Sequence, residues 1–265
     1  MQISLWSNMH GQGATSATTA ALASVLAQRT NYKILVTHNH VERSALEGYF
    51  YKPSKEAELS FSGLANQGLD ALIRLIQNGR LSPDMVPDYT YSLLKNNGLD
   101  ILMGTSKNEY SGNNDCFMDI IACAKRFYDI IITDVHSGLE GTNSLKVLEN
   151  SDVIIYCLNQ NRFLLEDFKA TLENHPILES KHAAYVISRY ESKSSMTPGN
   201  ISRRLQIDRK AIFVVPENSY FMDALNNGKV FEFSAYYKNA RKGAEKDFIA
   251  SITSLADYVI KGCTK

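Results

Sequence analysis

Apolar residues in this chain come in short unbroken runs, separated by longer stretches with helical spacing. The runs are Ile3–Trp6, Lys33–Thr37, Leu99–Met103, Asp129–Thr133, Val153–Leu158, Ala183–Ile187 and Ala211–Val215. Several lack the polar alternation of a strand with one wet face, which predicts parallel strands covered on both faces. Between them the spacing predicts helices over Thr15–Gln28, Gly68–Gln77, Asp115–Phe127, Gly141–Leu148, Phe163–Asn174, Gly199–Leu205, Tyr220–Asn226 and Asp247–Lys261. Strands alternating with helices imply an α/β fold. The expected form is a doubly wound, mainly parallel sheet of about seven strands with helices on both faces.

The loosest stretches, Tyr51–Phe61, Ser106–Asn114 and Glu191–Asn200, are polar and turn-rich. None parts the chain, so residues 1–265 are expected to form one domain. The last helix puts Phe248, Ile252, Leu255 and Val259 on one stripe, with Ile249, Ala256 and Ile260 beside it. Lys246, Lys261 and Lys265 give that stripe little positive charge for a membrane surface, which favours core packing. Phe231, Phe233, Tyr236 and Tyr237 are expected beneath it rather than at a partner surface.

Charge and cysteine usage narrow the setting. Lys+Arg and Asp+Glu balance at 28 each, so no global field draws the chain to nucleic acid or lipid. The basic sets Arg203, Arg204, Arg209, Lys210 and Lys238, Arg241, Lys242, Lys246 read as solvated faces, with non-specific DNA contact as the alternative. Cys116, Cys123, Cys157 and Cys263 form no C-x-x-C pair, and nothing before Gln2 reads as a secretory segment. No apolar run reaches the ~20 residues of a membrane-spanning helix. A reduced, soluble, cytoplasmic protein is expected.

The candidate chemistry begins after the first strand. In the register G-x-x-x-x-G-K-[ST], Gly13 is the second glycine, Thr15 the hydroxyl residue, and Ala14 fills the lysine slot. Asn8 fills the first glycine slot, where it is expected to tolerate a left-handed backbone. Gly11, Gln12, Gly13, Ala14, Thr15 and Ser16 therefore form a turn whose N–H groups and helix dipole favour an anion. A second strand ends in Asp134, with Gly138 four positions on. The carboxylate suits a magnesium shell, and the glycine N–H suits a terminal phosphate. His38, His40 and His136 lie at neighbouring strand ends, where they either bind a transition metal beside Asp134 or fill a cleft as polar residues. The second is the favoured reading. His10, in the loop itself, reads as an exposed turn residue. No G-x-S-x-G is present, and Gly11–Ser16 lacks the third glycine of a dinucleotide-binding turn, which disfavours a serine hydrolase and a dehydrogenase.

Taken in order, these motifs resemble the ParA/MinD group of deviant P-loop ATPases, and within it the pilus-assembly localisation proteins TadZ/CpaE. Met9 to Thr15 stands where the group reads K-G-G-x-G-K-T, and Asp134 to Gly138 matches its D-x-x-x-G. Gly98–Gly104 resembles a mid-sheet strand of the group. Val214 to Asn218, with Ala224 and Gly228, resembles the stretch lining its adenine pocket. The resemblance implies a site for ATP and magnesium, with Thr15 and Asp134 on the metal and Arg189 and Pro216 toward the base, in a homodimer joined across the nucleotide face.

The departures fall on charge. Met9 and Ala14 replace both lysines, His38 and His40 replace a pair of carboxylates, and Ser188 replaces a base-reading asparagine. Phosphoryl transfer depends on positioned positive charge, so no catalytic residue is assigned. The resemblance then implies a degenerate, weakly nucleotide-binding pseudo-ATPase. Its role would be that of a cytoplasmic positioning or scaffold protein serving partners in a pilus or secretion assembly. The alternatives are a slow ATPase switch and a DNA-associated partition factor.

Overall fold

The computed structural model describes residues 1–40, 44–51, 67–105, 114–140 and 143–263. The first half of the chain forms β1 (Gln2–Trp6), α1 (Thr15–Arg29), β2 (Ile34–His38), α2 (Leu46–Phe50), α3 (Gly68–Gln77), β3 (Tyr91–Leu94), β4 (Leu99–Ile101), α4 (Asn114–Ala124) and β5 (Ile130–Asp134). The second half forms α5 (Ser144–Glu149), β6 (Val153–Leu158), α6 (Arg162–Asn174), α7 (Pro176–Glu179), β7 (His182–Tyr190), α8 (Pro198–Leu205), β8 (Ile212–Pro216), α9 (Ser219–Asn227), α10 (Val230–Tyr237) and α11 (Ala244–Cys263). Positions 52–61, 106–113 and 141–142, with the turn-rich stretches and the helix start expected there, lie outside the described residues, as does Lys265.

The strands make one 8-stranded sheet in the order β3-β4-β2-β5-β1-β6-β7-β8. Its neighbours run parallel except β3 against β4. All seven expected strands are present, and β3 is an addition that the apolar runs did not announce. Each central run serves two cores, because side chains alternate across a strand. Ile34 and Val36 of β2 join Ile130 and Ile132 of β5 against α1, α10 and α11. Leu35, Ile131, Ile154 and Tyr156 point the other way, toward α3, α4 and α6.

The stripe of α11 is packed as expected: Ile252, Leu255 and Val259 are fully buried. Among the described residues, no helix is long and apolar enough to cross a membrane. The aromatic group on α10 divides, with Phe233 buried between Phe221 and Phe248 while Tyr236 is 81% exposed. The basic residues of α8 bind their own surroundings. Arg204 pairs with Glu166 of α6 at 2.8 Å, and Arg203 reaches Asn200. Cys123 and Cys157 are free thiols.

Candidate functional site: a glycine loop and the cleft above it

The sheet's central strand ends at Trp6, and the chain turns through residues 7–14 into α1. Gly11 takes φ +72°, and Ala14, the residue before α1, is itself left-handed at φ 50°. That conformation costs a residue with a Cβ about 1–2 kcal/mol, so its surroundings must hold it there. Several contacts do. The Ser188 hydroxyl of β7 donates to the Gly13 carbonyl at 2.7 Å, and Asn159 Nδ2 donates to the Gln12 carbonyl at 3.1 Å. A Cβ on Gly13 would lie 2.4 Å from the Cys157 carbonyl, so this position accepts only glycine. With the carbonyls of Gln12 and Gly13 drawn toward β6 and β7, and no side chain capping α1, the first-turn N–H groups remain as donors to an anion.

Asn8 departs from its expected role. Its φ is not positive; instead its amide donates to Asp167 at 2.7 Å and to the Leu164 carbonyl at 3.1 Å, tying the loop to α6. Met9, in the place of the group's signature lysine, is half-buried against the core on the α3, α4 and α6 side of the sheet.

A cleft of about 420 Å³ opens at the carboxyl ends of the strands, where ligands of open α/β sheets bind. Gly11, Ala14, Thr15, Ser16, Arg189 and Pro216 line it, and so do Tyr49, Asn218 and Phe221. Gln12 and Gly13 shape the loop without lining the cleft. Arg189 reaches it through a bulge: the β7–β8 register slips between Ser188 and Tyr190, leaving Arg189 at φ 50°. Among the described lining residues Arg189 is the one arginine or lysine. Asn218 caps α9 by accepting the Phe221 N–H at 2.9 Å, which fixes the wall beyond Pro216.

Asp134 closes β5 with no solvent exposure, and neither of its carboxylate oxygens has a hydrogen-bond partner. His40 Nε2 is the nearby cationic candidate, 3.4 Å from Oδ2. Burial and then the Asp134 charge raise the Tyr49 phenol above its ordinary value, while Arg189 opposes them. Gly138, at φ +76°, donates its N–H to the Ser7 carbonyl at 3.2 Å and accepts Trp6 Nε1 on its own carbonyl at 3.1 Å. The N–H expected to face a terminal phosphate is thus engaged by the end of β1.

The histidines form a row. The rings of His38 and His40 are 5.3 Å apart, those of His40 and His136 5.4 Å, and His136 stacks on His10 at 6.4 Å. His38 Nδ1 accepts the His40 N–H at 3.1 Å, so Nε2 carries the proton shared with Glu47 Oε1 at 2.8 Å. With both ring nitrogens engaged, His38 is no ligand. Among the described residues no group of three His, Cys, Asp or Glu side chains is set to hold a metal ion. The transition-metal reading is therefore set aside. The Thr15 hydroxyl, which lines the cleft, and the unpartnered Asp134 carboxylate, which is buried behind it, are oxygen donors of the kind magnesium takes. Glu47, Tyr49 and Asn159 are the additions to the expected residues. Asn159 directly follows an apolar run and was open to notice, whereas the five-residue helix carrying Glu47 and Tyr49 left no periodic signal.

A glycine loop between the first strand and its helix, beside a strand-end aspartate on a parallel sheet, defines a P-loop NTPase fold. More particularly, the fold is that of the ParA/MinD ATPases. A ParA family ATPase from Chlorobium tepidum TLS matches with a TM-score of 0.75 at 18% identity, over 96% of this chain and 98% of that one. The septum site-determining protein MinD from Pyrococcus horikoshii OT3, complexed with Mg-ADP, matches at 0.71 and 17% identity, over 98% and 96%. A putative plasmid partition protein from Borrelia burgdorferi B31, bound to AMPPNP, matches at 0.69 and 15% identity, over 98% of each chain. No protein-family model matches the sequence, and no curated protein matches it either.

Proposed function

We propose that this chain is a ParA/MinD-type positioning or scaffold protein whose single domain binds a nucleotide weakly and does not turn it over efficiently. The observation that carries the reading is the pairing of an intact loop with an absent charge set. The loop is held in shape by Ser188, Asn159 and the close approach at Gly13, yet Ala14 stands in the lysine slot and Met9 is half-buried against the core. Main-chain donors bind phosphate without neutralising the charge that develops in phosphoryl transfer, and losing such a group commonly costs orders of magnitude in rate. A bound magnesium ion would supply part of that neutralisation, with Thr15 and Asp134 as the residues to hold it. Arg189 and Pro216 would take the base end of the nucleotide, as the resemblance implies. Supporting the nucleotide reading, two proteins of this fold carry Mg-ADP and AMPPNP.

The working form is a cytoplasmic homodimer. Without a lysine at Met9 it must be held by packing, and its partners belong to a pilus or secretion assembly. Phosphate release from magnesium-ATP tests the central point. The expected rate equals that of a protein-free control. Steady turnover that disappears in Asp134→Ala would establish the slow ATPase switch instead.

A further inference from the structure

The far end of the cleft, beyond the loop, is where a P-loop protein meets the terminal phosphate of a triphosphate. The loop lysine reaches the β- and γ-phosphates there, and the glycine after the switch strand senses the last one. Each of those provisions is withdrawn here. Ala14 reaches nothing. Both backbone atoms of Gly138 are held by β1, its N–H by the Ser7 carbonyl at 3.2 Å and its carbonyl by Trp6 Nε1 at 3.1 Å. This two-point latch docks the segment after Asp134 on the end of β1. His10, His40 and Ser137 line that end, and His40 stands 3.4 Å from a buried carboxylate whose oxygens have no hydrogen-bond partner. Arg189, the one arginine or lysine among the described lining residues, sits at the end of β7 beside Pro216, the side the resemblance assigns to the base. Another phosphate would bring negative charge toward Asp134 with magnesium as its counter-charge and no loop lysine to add to it, at a low local dielectric where the remaining repulsion is strong.

We infer that the cleft takes a nucleoside diphosphate at least as well as the triphosphate and does not respond to a γ-phosphate. The inference rests on the nucleotide-binding reading above and deepens it: the site reports that a nucleotide is present, not whether it has been hydrolysed. Asn159 and Ser188 act as positioning residues, since they aim the loop's donors at the inner phosphates.

Calorimetric titration of the whole chain with ADP and with ATP, each with magnesium, tests this directly. ATP is expected to bind no tighter than ADP. A preference for ATP of more than about threefold, a difference near 0.6 kcal/mol, overturns the inference while leaving the nucleotide reading intact. Binding of neither nucleotide overturns both. Ala14→Lys is expected to shift the ratio toward ATP by about tenfold or more, and an unchanged ratio would remove the lysine slot from the argument. Should that variant fail to fold, Trp6 emission in the wild-type chain supplies a second measurement. It should respond identically to ADP and ATP, and a response to ATP alone would show that the latch does sense the γ-phosphate and would overturn the inference.

Discussion

Replacing Gly13 by alanine separates the two demands that the loop makes on its glycines. An added Cβ at this position would lie 2.4 Å from the Cys157 carbonyl, which is strand backbone, and 2.7 Å from Cβ and Oγ of the fully buried Ser7. Relief requires moving the loop off β6, and overpacking of this kind costs about 1–3 kcal/mol. The same displacement stretches the buried Ser188–Gly13 hydrogen bond of 2.7 Å, which adds about 1 kcal/mol. Together these come to roughly 2–4 kcal/mol. At about 2–4 °C per kcal/mol for a chain of this size, the melting temperature should fall by roughly 5–15 °C. Gly11→Ala is the matched control. Its φ is +72° but nothing lies within 4 Å of the added Cβ, so only the backbone term remains, about 1–2 kcal/mol. Thermal unfolding of both variants by circular dichroism is the assay. Equal melting temperatures for the two would refute the close approach of the loop to Cys157.

Two further outcomes follow from the groups around the cleft. Asp134→Asn should raise the melting temperature, because it removes a fully buried charge whose oxygens find no hydrogen-bond partner; a gain of about 1–3 kcal/mol is the scale, and a lower melting temperature would contradict it. Burial raises the Glu47 carboxyl, but the hydrogen bond from His38, with that from the Gly104 N–H, outweighs it and holds the group below its ordinary 4.5. A folded value below the unfolded one contributes stability above about pH 4.5 that is lost as pH falls through the folded value. The stability gap between wild type and Glu47→Gln should therefore be widest near neutral pH and narrow below pH 4.5 in denaturant titrations; a gap independent of pH would exclude this role for the carboxylate.

The parallel strands were legible because burial on both faces demands continuous apolar residues, and the loop was legible because its glycines are conformationally forced. β3 escaped notice for the opposite reason. Tyr91 to Leu94 forms an antiparallel edge with its first two residues exposed, so neither burial nor alternation marks it. The helix Val230–Tyr237 was also hidden, since its aromatic-rich sequence lacks helical character and takes its form from packing on α1 and α11. At the site, Ser188 stood out in the sequence as a departure from a base-reading asparagine, and its hydroxyl supports the loop from behind. The role of Gly138 depended on which acceptor its N–H would find. Sequence supplies the donor but not the geometry, and the Ser7 carbonyl lies just past β1, more than a hundred positions earlier.

The place of β1 in the middle of the sheet bears on how the chain is made. Gln2 pairs with Ile131 and Trp6 with Tyr156, so β1 finds its partners only after more than a hundred further residues have been made. At ordinary elongation rates of about 5–20 residues per second, that delay is on the order of ten seconds. Throughout it, Ile3, Leu5 and Trp6 remain an unpaired apolar segment of the nascent chain. Folding of this protein therefore has a long obligatory wait, and its vulnerability to misassociation lies on the ribosome rather than in the finished molecule.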